Sequence, residues 1–245
     1  KATGLEVDKY DREAVARYLK NYFDKFEQVV GKPLMGKYGL NALVADSAEA
    51  GSSNWSPKLL EQFRQLRGYD PTPWLPTLTG EIVGNREQSD GFLYDFRRTL
   101  GELVATEHYG TLARVAQDRG LTFYSESLEG NRLITPLGDG IELRRFADIP
   151  MAAMWTYGKG RMAPSHYLAD MRGAASVAHI YGKPFAAAES LTSIMSPWAH
   201  TPADLQPMID TEFLNGINRP VIHTSVHQPL DTKFPGMSLH VFGQF

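Results

Sequence analysis

The chain has 245 residues, of which 42% are hydrophobic and 22% charged, so it can bury a sizeable core. Its formal charge is −3, and it has no run of basic residues, so the usual electrostatic signature of a nucleic-acid-binding protein is missing. The lack of cysteine excludes disulfides, thiolate nucleophiles and cysteine-ligated metals. Its apolar runs are far shorter than the roughly 20 residues that cross a bilayer. We therefore expect neither a nucleic acid nor a membrane as partner.

Strand-like and helix-like segments alternate along the chain, a pattern typical of parallel strands joined by crossover helices. The first pair is a strand over residues 4–10 and an amphipathic helix over residues 11–30, in which apolar residues recur every three or four positions. A second apolar strand follows at residues 40–46. The next helix is predicted to begin with Ser56 as its N-cap and to end at Gly68.

The second half of the chain continues the alternation. Helical periodicity extends over residues 86–119, where Gly101 and Gly110 are candidate bends. Residues 131–148 have no readable pattern and are interpreted as a candidate lid loop. The remaining predicted elements are strands at 121–126, 149–155, 184–189 and 220–226, and helices at 165–181 and 202–214.

The predicted fold class is α/β. The sequence gives six strands, two fewer than a closed barrel of eight. An open doubly wound sheet is the alternative, but the glycine-rich phosphate-binding turn expected after its first strand is absent. We therefore predict a (β/α)8 TIM-type barrel that is incomplete, with about six βα units, in a single domain over residues 1–245.

Side chains able to do chemistry follow the predicted strands, at the points where the chain turns toward a helix. In (β/α)8 enzymes these carboxyl ends form one rim, and the active site lies there. A rim lined by carboxylates and aromatic rings suits glycoside hydrolysis. The residues at these positions are Asp8, Asp46, Glu49, Glu126, Trp155, Glu189, His223 and His227.

Glu49 and Glu189 are the predicted catalytic pair. Each directly follows an apolar strand, and each has small neighbours that leave room for a ligand. One carboxylic acid would protonate the leaving oxygen, and the other would activate water or attack. The alternative is a solvated loop glutamate at each position. Asp46 either holds a substrate hydroxyl, orients Glu49, binds a cation or caps the strand exit in an Asx-turn.

Four further residues are candidates for substrate binding near this rim. Asp8 and Glu126 are additional carboxylates, although Glu126 is equally well explained as a salt-bridged loop residue. Trp55 and Trp155 could each present an apolar face to a sugar ring, and the alternative for both is packing in the core.

His223 and His227 are four residues apart, which invites comparison with a zinc-binding helix. The residues between them and Pro229 beyond them indicate a strand exit, so we exclude that motif. A neutral imidazole that binds a sugar hydroxyl is the functional interpretation of each, and a structural histidine is the alternative. Ser190 lies in no G-x-S-x-G motif, which disfavours serine nucleophile chemistry.

Residues 46–80, DSAEAGSSNWSPKLLEQFRQLRGYDPTPWLPTLTG, resemble glycoside hydrolase family 106, the α-L-rhamnosidases. The resemblance continues in order through residues 91–121, 148–155, 176–190 and 217–229. It implies an inverting hydrolase on a (β/α)8 catalytic barrel that releases L-rhamnose from α-linked glycans or glycosides. Calcium is a possible cofactor on the same ground, with unknown ligands, and no organic cofactor is expected.

The resemblance also implies roles for the acidic residues. The D-x-x-E pair falls on Asp46 and Glu49, and the glutamate of the GKP-x4-E segment falls on Glu189. We assign Glu49 as the general acid, with a raised pKa, and Glu189 as the base, while the order of the two roles stays open. Ala153 stands where relatives tend to carry an acidic residue, which puts in doubt any metal or substrate contact expected there.

Members of this family are several times longer and carry additional β-rich domains. Since the sequence also begins at Lys1 without a methionine, we expect the C-terminal part of a catalytic barrel from a larger multidomain enzyme. Its other domains would then be partners, together with a rhamnose-containing glycan or glycoside. The expected location is the periplasm or the outside of a bacterium. Two alternatives stay open: a non-catalytic carbohydrate-binding or degenerate barrel fragment, and a retaining glycosidase specific for another sugar.

Overall fold

Five parallel strands form one sheet whose spatial order follows the order of the sequence, β1-β2-β3-β4-β5. The computed structural model describes residues 6–48, 53–127 and 138–243. The strands are β1 (Ala42–Ala45), β2 (Thr122–Ser125), β3 (Ile149–Trp155), β4 (Ala187–Thr192) and β5 (Arg219–Ile222). The α-helices are α1 (Arg12–Val30), α2 (Leu59–Arg67), α3 (Arg86–Leu103), α4 (Gly110–Gln117), α5 (Gly140–Arg144), α6 (Ser165–Ile180) and α7 (Pro202–Leu214).

Local hydrogen bonds fix several of these helix ends. The Asp11 carboxylate accepts the backbone N–H of Glu13 at the start of α1, as an N-cap does. At the end of α2, Gly68 adopts φ 81°, a left-handed conformation that glycine reaches without the steric cost of a Cβ. Thr201 and Asp204 form a reciprocal capping box at the start of α7.

The long helix predicted over residues 86–119 is interrupted between the two proposed bends, Gly101 and Gly110. Helix α3 ends at Leu103, one π-helical segment covers Val104–Tyr109, and α4 begins at Gly110. Further along, α5 occupies residues that were interpreted as part of a lid loop, with the Asp139 side chain capping its first turn. The lid interpretation is therefore wrong for Gly140–Arg144, while residues 131–137 lie outside the described part of the chain.

The strand predicted over residues 4–10 is wrong for residues 6–10, which form no strand. The Asp8 carboxylate accepts the backbone N–H of Tyr10 at 2.9 Å, and this bond closes a turn instead. Ser56 does not cap α2 either, because its hydroxyl donates to Asp8 at 2.7 Å and the helix begins three residues later.

The predicted (β/α)8 barrel is also wrong. The described residues contain five parallel strands rather than six, and β1 and β5 lie at opposite edges of the sheet. A closed barrel has no such edges. The observed fold is a partial barrel, an incomplete α/β sheet with helices packed on its outer face.

Alternation along the strands gives the sheet two different faces. On the outer face, Ala152, Met154 and Ala188 belong to one buried cluster with residues of α6 and α7. A larger outer cluster joins β2 to α1, α2, α3 and α4. On the inner face, Met151 and Ala187 pack with a few neighbours in a small cluster of their own. Residues two positions further along each strand share this inner face.

No helix in residues 6–48, 53–127 and 138–243 combines the length and apolar character that crossing a bilayer requires.

Candidate active site

Three carboxylates converge at the inner face of the sheet. Asp46 follows β1, Glu126 follows β2 and Glu189 lies within β4. One carboxylate oxygen from each lies within 4.8 Å of an oxygen of the other two. The structure therefore brings together three residues that are distant in sequence and that were predicted at the strand ends.

The register of the strands explains the convergence. Ala45 pairs with Ser125, so Asp46 and Glu126 come next on neighbouring strands. Glu189 lies on β4 opposite Ala153 of β3. At that position β3 carries only the methyl group of Ala153, and the carboxylates from β2 and β4 come within 4.8 Å of each other across this strand.

The carboxyl group of Glu126 has a strongly perturbed environment. Its side chain is 5% exposed, and burial together with the negative charges of Asp46 and Glu189 raises the pKa of Glu126 to about 10. Its Oε1 atom is buried without a hydrogen-bond partner. Three carboxylates at this spacing cannot all stay ionised without compensation, so the cluster needs a shared proton or a bound cation.

The donor set fits a hard divalent cation. Calcium binds six to eight oxygen atoms at about 2.3–2.6 Å, so two ligands of one ion lie at most about 5 Å apart. The oxygens of the cluster meet this limit at 4.8 Å, and carboxylates are the ligands that calcium prefers. Glu126 Oε1 is buried without a hydrogen-bond partner, as expected of an oxygen available to a cation.

Thr192 and His223 both lie close to the Glu189 carboxylate. The hydroxyl of Thr192 donates a hydrogen bond to Glu189 Oε1, and Thr192 Oγ1 lies 3.2 Å from His223 Nδ1. The same imidazole nitrogen is 3.9 Å from Glu189 Oε1. His223, which was predicted to bind substrate, therefore lies at the edge of the carboxylate cluster. Its side chain is 32% exposed.

Trp155 and Phe242 form an aromatic wall next to His223. Phe242 contacts Trp155 edge-on, with ring centroids 6.0 Å apart, and contacts His223 at 6.3 Å. Two backbone bonds hold the segment of Phe242 against the loop after β4: Met195 N to Val241 O at 2.7 Å and Gly243 N to Ser193 O at 3.0 Å. Sequence reasoning identified Trp155 and His223 but missed Phe242, which lies in a segment without periodic pattern.

A buried ion pair supports β3 beneath the site. Arg144 is 3% exposed, its Nε donates to Met151 O at 2.7 Å, and its guanidinium also pairs with Asp170. The other oxygen of Asp170 accepts the backbone N–H of Ala153 at 3.0 Å. The pair therefore ties α5 and α6 to the strand that separates Glu126 from Glu189.

The remaining predicted residues are not part of this cluster. Asp8 is engaged in its turn with Tyr10 and Ser56. Trp55 is 48% exposed, and His227 is exposed in the segment after β5. Glu49 lies outside the described residues, so its pairing with Glu189, its raised pKa and its role stay predictions.

Comparison with known proteins agrees with a glycosidase site. A family model described as alpha-L-rhamnosidase matches residues 1–245. A solved structure of a rhamnosidase from Novosphingobium sp. PP1Y is 56% identical and superposes with a TM-score of 0.94, covering 99% of this chain and 23% of that chain. A putative beta-glucuronidase from Formosa agariphila is 35% identical over 240 residues, which are 98% of this chain and 19% of that protein. The chain thus spans about a fifth of the length of these relatives.

Proposed function

Since the chain belongs to glycoside hydrolase family 106, the family described as alpha-L-rhamnosidase, we propose that it carries the carboxylates that hydrolyse α-L-rhamnosides with inversion. The observation that carries this proposal is the convergence of Asp46, Glu126 and Glu189 on one face of the sheet. A site of clustered carboxylates beside an aromatic wall is suited to polarising a glycosidic bond and to stacking on a sugar ring.

In the proposed mechanism Glu189 is the general base. Its Oε1 is occupied by the Thr192 hydroxyl, so Oε2 takes the proton from a water molecule as the water oxygen attacks the anomeric carbon. The bond to the leaving oxygen breaks at the same time, and Glu49 gives that oxygen its proton. Attack from the face opposite the leaving group converts the α-linkage into β-L-rhamnose.

The position of Glu49 supports its role as the acid. It follows Asp46 by three residues, and Asp46 marks the carboxylate cluster at the end of β1. An inverting pair stands about 6.5 to 9.5 Å apart, which leaves room for water between the base and the sugar. We expect the Glu49 and Glu189 carboxyl groups to have this separation.

Calcium is part of the proposal, held by Asp46 and Glu126 next to the Glu189 base. When bound, it would neutralise the clustered charge and accept sugar hydroxyls as additional oxygen ligands. The protein residues then have the remaining tasks. Trp155 and Phe242 exclude water from one side of the sugar, and Thr192 holds the base.

A second candidate function is a retaining glycosidase, favoured by one distance. Carboxyl groups of a retaining pair are about 5 to 5.5 Å apart. Oxygens of Glu126 and Glu189 lie within 4.8 Å of each other, which is shorter than the separation of an inverting pair. In this case Glu189 would attack the anomeric carbon, and Glu126 would serve as acid and then as base.

The test of function is hydrolysis of an aryl α-L-rhamnoside by the full-length enzyme, with an aryl β-D-glucuronide assayed in parallel. Glu49→Gln and Glu189→Gln should each lower kcat by about 10²- to 10⁴-fold, because each removes a group that transfers a proton. Glu61→Gln, an exposed glutamate of α2, is the control and should leave kcat unchanged.

Other outcomes of this assay would contradict the proposal. Binding of rhamnose without turnover by the wild type would show a non-catalytic carbohydrate-binding fragment. Turnover of the glucuronide alone would indicate a β-glucuronidase, the activity in the name of the Formosa agariphila relative. Full activity of Glu189→Gln would remove the base from the mechanism.

A further inference from the structure

Strand β4 contains an irregularity next to the proposed base. Leu191 has φ 66°, a left-handed conformation that is sterically unfavourable for a residue with a Cβ. The register of β3 and β4 shifts at the same place, so Trp155 pairs with Thr192 rather than with Leu191. This is a β-bulge, a feature that redirects side chains and is frequent beside active sites.

The bulge changes which residue faces the site. In a regular strand Glu189 and Leu191 would share the inner face, and Thr192 would face the helices. In the structure Leu191 is 4% exposed and packs in the outer cluster with Ala152 and Ala188. Thr192 takes the inner position instead, where its hydroxyl reaches Glu189.

The hydrogen-bond directions follow from the groups involved. An ionised carboxylate only accepts, so the single hydroxyl proton of Thr192 goes to Glu189 Oε1. The contact of 3.2 Å between Thr192 Oγ1 and His223 Nδ1 is then a hydrogen bond only if Nδ1 is the donor. That tautomer leaves Nε2 of a neutral His223 as an acceptor.

We propose that Thr192 is a positioning residue, turned into the site by the bulge at Leu191, which orients the Glu189 carboxylate and fixes His223 as the Nδ1–H tautomer. His223 Nε2 is then available to accept a hydrogen bond from a hydroxyl of the sugar. The kinetic part of this inference rests on the proposed function, whereas the orientation of Glu189 does not.

The first test compares Thr192→Val with Thr192→Ser in the full-length enzyme. Valine keeps the shape of threonine but loses the hydroxyl, and serine keeps the hydroxyl. The control is Thr156→Val, because the Thr156 hydroxyl donates to the Thr192 backbone oxygen at 3.3 Å and belongs to the same bulge. We expect Thr192→Val to lower kcat about 10- to 100-fold with KM within about 3-fold, the loss typical of a hydrogen bond to a charged group. Thr192→Ser and Thr156→Val should retain kcat within about 3-fold.

A second readout does not depend on activity. Crystal structures of the wild type and Thr192→Ser should show the same Glu189 carboxylate orientation, and Thr192→Val should show it rotated away from the position of Oε1. An unchanged Glu189 orientation in Thr192→Val overturns the proposal, even if the wild type hydrolyses no rhamnoside. Equal losses of kcat in Thr192→Val and Thr156→Val, with lowered melting temperatures in both, would show that the bulge has only a structural role.

The tautomer has its own test. The side-chain amide of asparagine places its nitrogen near the position of imidazole Nδ1, and that of glutamine places it near Nε2. We expect His223→Asn to retain at least about 5-fold more kcat than His223→Gln, because it preserves the donor to Thr192. The opposite order would overturn the assigned tautomer.

Discussion

Glu126 and Glu189 bring carboxylate oxygens within 4.8 Å of each other although their strands are not neighbours in the sheet. The strand between them, β3, contributes Ala153 at the register position of Glu189, and its side chain is a single methyl group. Each carboxylate therefore lies in the electrostatic field of the other, and the inner face of the sheet concentrates negative charge at this point. The following predictions concern that face and the packing behind it.

Removal of calcium tests the cation proposed for the cluster. A ligand that binds only the folded state stabilises it by about 2.7 kcal/mol when its free concentration is 100-fold above Kd. We expect a chelator to lower the melting temperature of the full-length enzyme and added calcium to raise it again. In Glu126→Gln or Asp46→Asn, added calcium should raise the melting temperature less. Glu142→Gln, on α5 outside the cluster, is the control. Calorimetry that detects the same calcium binding in Glu126→Gln, Asp46→Asn and wild type would contradict the assignment.

The Arg144–Asp170 pair tests how β3 is held. Removing one partner of a fully buried ion pair costs about 3–5 kcal/mol, and a smaller cost is expected here because the Asp170 side chain is 20% exposed. Arg144→Met should still lower the free energy of unfolding substantially. Lys20→Met breaks an exposed pair with Asp24 on α1 and should cost less than about 1 kcal/mol. Similar losses for the two variants, measured by urea denaturation, would show that Arg144 does not support the strand.

Glu212 predicts a dependence of stability on pH. It is a fully buried residue of α7 behind β4, and burial raises its pKa from 4.5 to about 7, although Ser190 donates to it at 2.8 Å. Because the folded-state pKa is raised, the stabilising contribution of the protonated form is complete below about pH 4.5 and is lost as the pH rises through 7. Glu212→Gln keeps an acceptor for Ser190 and cannot ionise.

We therefore expect Glu212→Gln to be more stable than the wild type at pH 8, by on the order of 3 kcal/mol, and to differ little at pH 4. Asp210→Asn removes an exposed charge from the same helix and is the control. Unfolding curves at the two pH values provide the measurement. If Glu212→Gln and the wild type differ in stability by the same amount at pH 4 and pH 8, ionisation of Glu212 is not the cause of the difference.

The sequence predicts the elements best where local signals agree. Strand β3 and helix α7 have the bounds that were predicted, because an apolar β-rich run marks the first, and a capping threonine followed by proline marks the second. The segment at residues 6–10 has a strand-like composition, but the Asp8 side chain competes for the backbone and closes a turn. Strand β4 lies three residues later than predicted at both ends, because its pattern does not reveal the bulge.

The sequence predicted the acidic residues of the candidate site better than the residues that pack around them. Asp46 and Glu126 do follow β1 and β2, as predicted, whereas Glu189 was predicted at the end of a strand that in the structure continues to Thr192. Thr192 could not be found by alternation, which puts it on the opposite face from Glu189. Phe242 depends on the docking of a distant segment, for which the sequence contains no local signal.

The most direct test of the account is proton NMR of the first sugar released when the full-length enzyme hydrolyses an aryl α-L-rhamnoside. If water attacks in a single displacement with Glu189 as base, β-L-rhamnose appears first, and its α-anomer grows in only through mutarotation. Initial release of α-L-rhamnose would contradict the account, and it would instead indicate double displacement by the closely spaced Glu126 and Glu189.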